Sequence, residues 1–160
     1  ESVFAKASPA LVNIEAEDTI IVTLKFRNGA LGIIEATTAA RPINLEGSIS
    51  VLGARGTVVI GGFAVNKMET WAFEEEQAGD EQVLEAYSVN PPNVYGFGHQ
   101  AYYEHVVDCI ENEKRHLVDG LEARKSLELI NAIYESVETG KEVFLRFRPR
   151  MCPLGRRRAG

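Results

Sequence analysis

Two cysteines in 160 residues, Cys109 and Cys152, form neither a disulfide nor a metal pattern. That scarcity suits a reducing compartment and sets the expectation of a cytoplasmic protein. The three histidines stand at 99, 105 and 116. None makes an i, i+4 pair, and no cysteine or acid completes a zinc set, so no metal site is expected. No apolar run is long enough to span a bilayer, and no secretory signal is visible, so no membrane role is expected. The G-x-S-x-G elbow and the phosphate-binding P-loop are both missing. No residue of the chain is therefore assigned as catalytic.

Positive charge is scarce as well. Five of the 17 basic residues (Arg148, Arg150, Arg156, Arg157, Arg158) crowd into positions 148–160, leaving 12 against 23 acids in the rest. So acidic a body excludes a nucleic-acid partner on electrostatic grounds. The arginine-rich end, 148–160, behind a domain of residues 1–147, reads as a solvated tail, the alternative being a segment that docks on an acidic neighbour. The chain opens on Glu1 with a strand-like run, "ESVFAKASPAL", which suggests a portion of a longer polypeptide.

What is present is mostly strand. "DTIIVTLKF" (18–26) and "ALGIIEATTAA" (30–40) flank Arg27, Asn28 and Gly29, and Asn-Gly is a strong hairpin signal. Ile20, Val22, Leu24 and Phe26 alternate with Ile21, Thr23 and Lys25, which predicts one buried face. "EGSISVLG" (46–53) turns at Ala54 and Arg55 into "GTVVIGG" (56–62), and "AVNKMETWAF" (64–73) follows. Residues 74–94 read as an acidic, turn-rich connection, with Glu74, Glu75 and Glu76 as solvated surface. Two helices come next. The first, about 99–114, carries a stripe of Tyr103, Val107 and Ile110 beside Val106. The second starts at an Asp119 N-cap and steps through Ala123, Leu127, Ile130, Tyr134 and Val137 to a Gly140 stop. "EVFLRF" (142–147) closes the order. Hairpins, then helices, then a strand predict an α+β domain: a largely antiparallel open sheet with helices packed on one face. Phe63, Trp71 and Phe73 suggest an apolar stretch on the other face, a natural subunit interface.

"YGFGHQA" (95–101) fits G-x-G-x-x-A, a form of the dinucleotide fingerprint, with Asp119 near the expected distance. That fingerprint needs a buried strand before the glycines. Here Asn90, Pro91, Pro92 and Asn93 precede them, and proline cannot donate to a central ladder. No residue is assigned to cofactor binding, and no nicotinamide dinucleotide is expected to bind this chain tightly.

Two places can hold a ligand. His99 at the start of a helix, with Tyr103 one turn on, can meet an anionic or hydroxyl-rich group or move a proton; the plainer alternative is a local cap or a surface histidine. His105 and His116 carry less weight, His116 because it sits in the polar run "NEKRH". Thr37, Thr38 and Arg41 end a strand before Pro42, where two hydroxyls and a guanidinium can hold a carboxylate or phosphate. The alternative is ordinary strand threonines and a solvated arginine.

Three stretches, "FRNGALGIIEATTAARP", "GHQAYYEHVVDCIENEKRHLVDG" and "GLEARKSLELINAIYESVETGKEVFLRF", together resemble the C-terminal domain of the glucose–fructose oxidoreductase, inositol dehydrogenase and MocA (Gfo/Idh/MocA) family. The likeness runs toward the branch that oxidises UDP-N-acetylglucosaminuronic acid in surface-polysaccharide synthesis. It implies an intact enzyme with an N-terminal Rossmann domain binding NAD or NADP, absent here together with the family's Glu-Lys-Pro lysine and active-site histidine. It implies hydride transfer from a sugar carbinol carbon. This domain would hold the sugar or nucleotide sugar through Arg41, Thr37, Thr38, His99 and Tyr103, and would build a homo-oligomer through its open sheet. Two competing expectations are a non-catalytic ligand-binding or assembly module, and a polyol or inositol dehydrogenase of the same family.

Overall fold

A computed structural model describes residues 1–145, except Ala10, Asn44, Glu46 and Val94. The basic tail, Cys152 and the last two residues of the 142–147 strand lie outside the described residues. The described residues divide into two compact units, one of residues 1–41 with 117 onward, the other of residues 42–116.

The first unit holds strands β1 (Ser2–Ser8), β2 (Thr19–Lys25), β3 (Leu31–Thr37) and β7 (Val143–Phe144), in the order β3-β2-β1-β7, all antiparallel. Asn28 and Gly29 make the predicted turn. Gly29 sits at φ +90°, and the Asn28 side chain accepts from the Ala30 N–H at 3.1 Å. The register then fixes the faces, because directly opposed residues point the same way. Val3, Ala5, Val22 and Val143 face helix α3 (Gly120–Thr139) and form the core with Ala132, backed by Ile20, Leu24, Leu129, Ile133 and Val137. The alternation predicted for β2 is thus observed: Val22 is 1% exposed, and Ile21, on the other face, is 51% exposed.

Helix α3 begins and ends where its caps dictate. The Asp119 carboxylate accepts from the N–H groups of Leu121 and Glu122, and Gly140 closes the helix at φ +65°. The buried face differs from the predicted stripe. Glu128, Ala132 and Ser136 point inward, whereas Leu127 and Ile130 are exposed. The reason lies at Ser136, whose hydroxyl accepts from the Ala5 N–H (3.0 Å) and donates to the Lys141 carbonyl (2.6 Å). Strand β7 pairs with β1 only at Ser2 and Val3, so Ala5 needs another partner. Small residues at 132 and 136 let the helix approach closely enough for Ser136 to serve. Counting apolar side chains alone misses this.

The second unit holds β4 (Ile49–Gly53), β5 (Gly56–Gly61) and β6 (Lys67–Phe73) as an antiparallel sheet in that order. The last strand starts later than predicted. Residues 62–66 make a turn instead, in which the Asn66 side chain accepts from the Ala64 N–H at 3.2 Å. Val65 sits there at φ +53°, a strained value for a β-branched residue. Part of the expected connection is helix α1 (Asp80–Ala86), packed on β6. Asp80 opens it, accepting from the Gln77 N–H (2.7 Å) and the Trp71 indole N–H (2.8 Å). Trp71 is accordingly half-buried, not a bare member of a solvent face. Helix α2 (Gly98–Glu111) buries Cys109, with His105 and Val106 half-buried; the predicted stripe of Tyr103, Val107 and Ile110 is exposed. The Cys109 sulfur lies 3.5 Å from His105 Nε2 and 3.6 Å from the Arg115 carbonyl, polar contacts that place the smaller side chain inside.

Candidate functional site

The two groups of sequence-predicted residues fall in different units. Thr37, Thr38 and Arg41 close the first segment of one; His99 and Tyr103 stand on α2 of the other.

At the exit of β3, hydrogen bonds fix the backbone. The Thr38 N–H donates to the Asp18 carbonyl (2.8 Å), and the Ala39 N–H donates to Thr37 Oγ1 (3.0 Å). Thr37 Oγ1 also lies 2.9 Å from Thr19 Oγ1, across the β2–β3 ladder, and Thr19 Oγ1 donates to Asp18 Oδ1 at 2.9 Å. Asp18 is 1% exposed, and its other oxygen accepts from the N–H groups of Leu11 (2.7 Å) and Val12 (2.8 Å). One buried carboxylate thus ties the 9–17 loop, the start of β2 and the exit of β3 together. The exposed Arg41 turns Nη1 back to the Ala40 carbonyl at 2.9 Å, and Thr38 is exposed as well. Asp18 does not stand out in the sequence, where it merely opens the strand-like run 18–26.

At the start of α2, the chain makes a glycine-rich mouth. Gly96 takes φ +68°, its N–H donating to the Asn93 carbonyl, and the Tyr95 N–H donates to the Asn93 side chain. An open cleft of about 760 Å³ lies here, lined by Asn93, Tyr95, Phe97, His99, Gln100 and Glu104 among others. His99 Nδ1 is 3.3 Å from the Tyr95 carbonyl, and its ring stands edge-on to Tyr95 at 5.8 Å. A carbonyl can only accept, so Nδ1 carries the proton and Nε2 of the neutral ring is left as an acceptor. Tyr103 lies one turn on, exposed, tilted against Tyr102, and outside the cleft lining. Tyr95, Phe97 and Gln100 were not predicted. In the sequence they stand within the run 95–101, read there only for its match to the dinucleotide fingerprint.

The strand that a dinucleotide fingerprint requires before its glycines does not appear among the described residues 87–97, which form turns and loop. A separate groove of about 500 Å³ lies on the second sheet, lined by Val51, Arg55, Val58, Trp71 and Phe73, with Asp80 at its edge. The hydrogen bond from Gln77 and then that from Trp71 hold the Asp80 carboxyl below the usual aspartate range. No group of three or more potential metal ligands occurs among the described residues. Nor does any described helix have the length and apolarity to cross a membrane.

The fold recurs in solved structures. The WlbA dehydrogenase from Bordetella pertussis, in complex with NADH and UDP-GlcNAcA, is 41% identical over 89% of this chain, with a TM-score of 0.82. The WlbA dehydrogenase from Chromobacterium violaceum, in complex with the same two molecules, is 43% identical over 89% of this chain, with a TM-score of 0.80. A levoglucosan dehydrogenase in complex with NADH and L-sorbose shares the fold alone, at 19% identity over 91% of this chain and 44% of its own, with a TM-score of 0.68. The chain spans about two fifths of the length of the two WlbA dehydrogenases (41% and 39%). No curated protein matches. Residues 1–145 match the oxidoreductase family's C-terminal alpha/beta domain. The mixed antiparallel architecture and this match agree, and the chain belongs to the Gfo/Idh/MocA oxidoreductase family as its C-terminal α/β domain.

Proposed function

We propose that this chain is the substrate-binding and oligomerisation domain of a nicotinamide-dependent oxidoreductase acting on a hydroxyl of a sugar or nucleotide sugar. The observation that carries the reading is the likeness of more than 40% identity to two dehydrogenases bound to NADH and UDP-GlcNAcA. When bound in the intact enzyme, the nicotinamide would accept the hydride. This chain's share lies on the sugar side, a reading supported by its likeness to the two dehydrogenases in complex with UDP-GlcNAcA.

Arg41 and Thr38 suit an anionic group, since the guanidinium fork matches a carboxylate or phosphate in charge and shape. The cleft by His99 suits hydroxyls: Nε2 accepts, and the Gln100 and Glu104 side chains, 2.7 Å apart, supply further polar atoms. The open face of the first sheet supports the oligomer. Phe4, Thr23 and Ile33 lie across it in register, with Leu31 80% and Ile33 75% exposed and Phe144 at its rim. An apolar sheet face of this kind favours a covering partner, here a second copy.

Kinetics on the intact enzyme test the reading. Arg41→Ala should weaken an acidic sugar substrate roughly ten- to a hundredfold while a neutral analogue loses little. Arg41→Lys should restore part of the loss, because an ammonium keeps the charge without the fork. Equal losses for both substrates would remove Arg41 from the site. The polyol-dehydrogenase alternative predicts that equality.

A further inference from the structure

The buried Asp18 does more than tie three segments together; the proton count along its hydroxyl chain gives the β3 exit a defined polarity. As a carboxylate Asp18 has no proton to give, so Thr19 donates to it. Thr19 has only that one proton. The 2.9 Å contact between Thr19 and Thr37 is therefore filled by the Thr37 proton. Thr37 also accepts from the Ala39 N–H. Its donor is spent and one lone pair remains. We propose that Asp18 is a positioning residue that, through Thr19, makes Thr37 an acceptor toward substrate, so that Thr37 accepts a hydrogen bond from a sugar hydroxyl and leaves the anionic group to Arg41 and Thr38. The proposal rests on the reading above, in which the β3 exit contacts substrate.

Asparagine at 18 is the informative change. Its oxygen can still accept from Leu11 and Val12, and its amide can donate to Thr19. Thr19 must then donate to Thr37, whose two lone pairs become filled. The Thr37 proton is released outward, and the acceptor becomes a donor with each of those contacts kept.

The test uses the complete oxidoreductase and UDP-GlcNAcA as probe. Neutron diffraction on the deuterated enzyme should place the Thr37 deuteron toward Thr19 and the Thr19 deuteron toward Asp18. A wild-type Thr37 deuteron directed outward would overturn the proposal. Asp18→Asn should reverse both and raise the Kd about three- to tenfold, the effect of one lost neutral hydrogen bond. In a Thr37→Val background the same substitution should change the Kd less than about twofold, the mark of two residues acting as one unit. Equal losses in both backgrounds would mean a merely structural Asp18 and sink the idea. Should Asp18→Asn not fold, Thr19→Val cuts the chain and keeps the carboxylate; it should reproduce the loss, and an unchanged Kd there counts against the proposal. Unchanged affinity in both Thr37→Val and Arg41→Ala would instead overturn the substrate reading, a failure separate from the deuteron positions.

Discussion

The two units are built from similar strands yet hold themselves together differently. Among the described residues, the buried hydrophobic side chains Val3, Ala5, Val22, Ala39, Ala132 and Val143 belong to the first unit and Cys109 to the second. The first has a 20-residue helix laid along its sheet; the second has a 14-residue helix and a seven-residue one, of which the shorter packs on β6, and its β4 is exposed throughout. Burial drives folding in the first. In the second, individual polar contacts such as Trp71 to Asp80 hold places that burial does not, and its clefts stay open. The difference teaches where each task can reside: a packed core tolerates little change, whereas an open, polar-pinned surface can be reshaped around a ligand.

Truncation in the core offers the largest way to break that comparison. Val22→Ala removes two buried carbons from the centre of the first sheet and should cost about 2–3 kcal/mol in denaturant unfolding. Val51→Ala, the same truncation at a residue 58% exposed, should stay within about 0.5 kcal/mol. Similar costs at the two sites would mean that the second unit has a core of its own.

A smaller loss is expected at Ser136→Ala. It strands the Ala5 N–H and the Lys141 carbonyl next to the core, and should cost about 1–3 kcal/mol. Ser136→Thr keeps the hydroxyl but adds a methyl where the helix sits closest. It should recover only part of the loss, measured by circular dichroism at 222 nm, to which α3 is the longest helical contributor among the described residues.

The smallest effect sharpens the picture of the second unit. Asp80 has a folded-state pKa below its ordinary value, so its contribution is complete above the ordinary aspartate range and fades as pH falls through the lowered value. Trp71 is the chain's one tryptophan, so its emission reports on the surroundings of that contact. Its emission should shift below about pH 4 while the helical signal of the first unit persists. In Asp80→Asn that acid step should disappear. A step that survives would assign it to other carboxylates.

Much of the fold is legible in the sequence. Asn28-Gly29, the Asp119 cap and the Gly140 stop are local signals, each needing only its neighbours' backbone, and all three hold. Alternation in β2 held because burial on one face follows from a period of two. The helix faces did not transfer, because a stripe counted from apolar residues overlooks a serine and a cysteine that go inside for polar reasons. Helix α1 was missed because seven residues in an acidic stretch give almost no periodicity to count. Of the candidate site, the sequence offers Thr37, Thr38, Arg41, His99 and Tyr103 by residue type and position; their roles are proposals that the substrate kinetics test.

Sequence alone determined the order of hairpins, the helix caps and the family motifs, since these depend on residues close along the chain. Only the tertiary structure decided which side of α3 meets the sheet, because the Ala5 N–H left over by the β1–β7 ladder lies 131 positions from the hydroxyl that satisfies it. Only the β2–β3 register set Thr19 beside Thr37, and with it the path by which a buried carboxylate at position 18 orients a proton at position 37. Hydrogen bonds of this kind act over about 3 Å, and no spacing in the sequence reveals which hydroxyls will come that near.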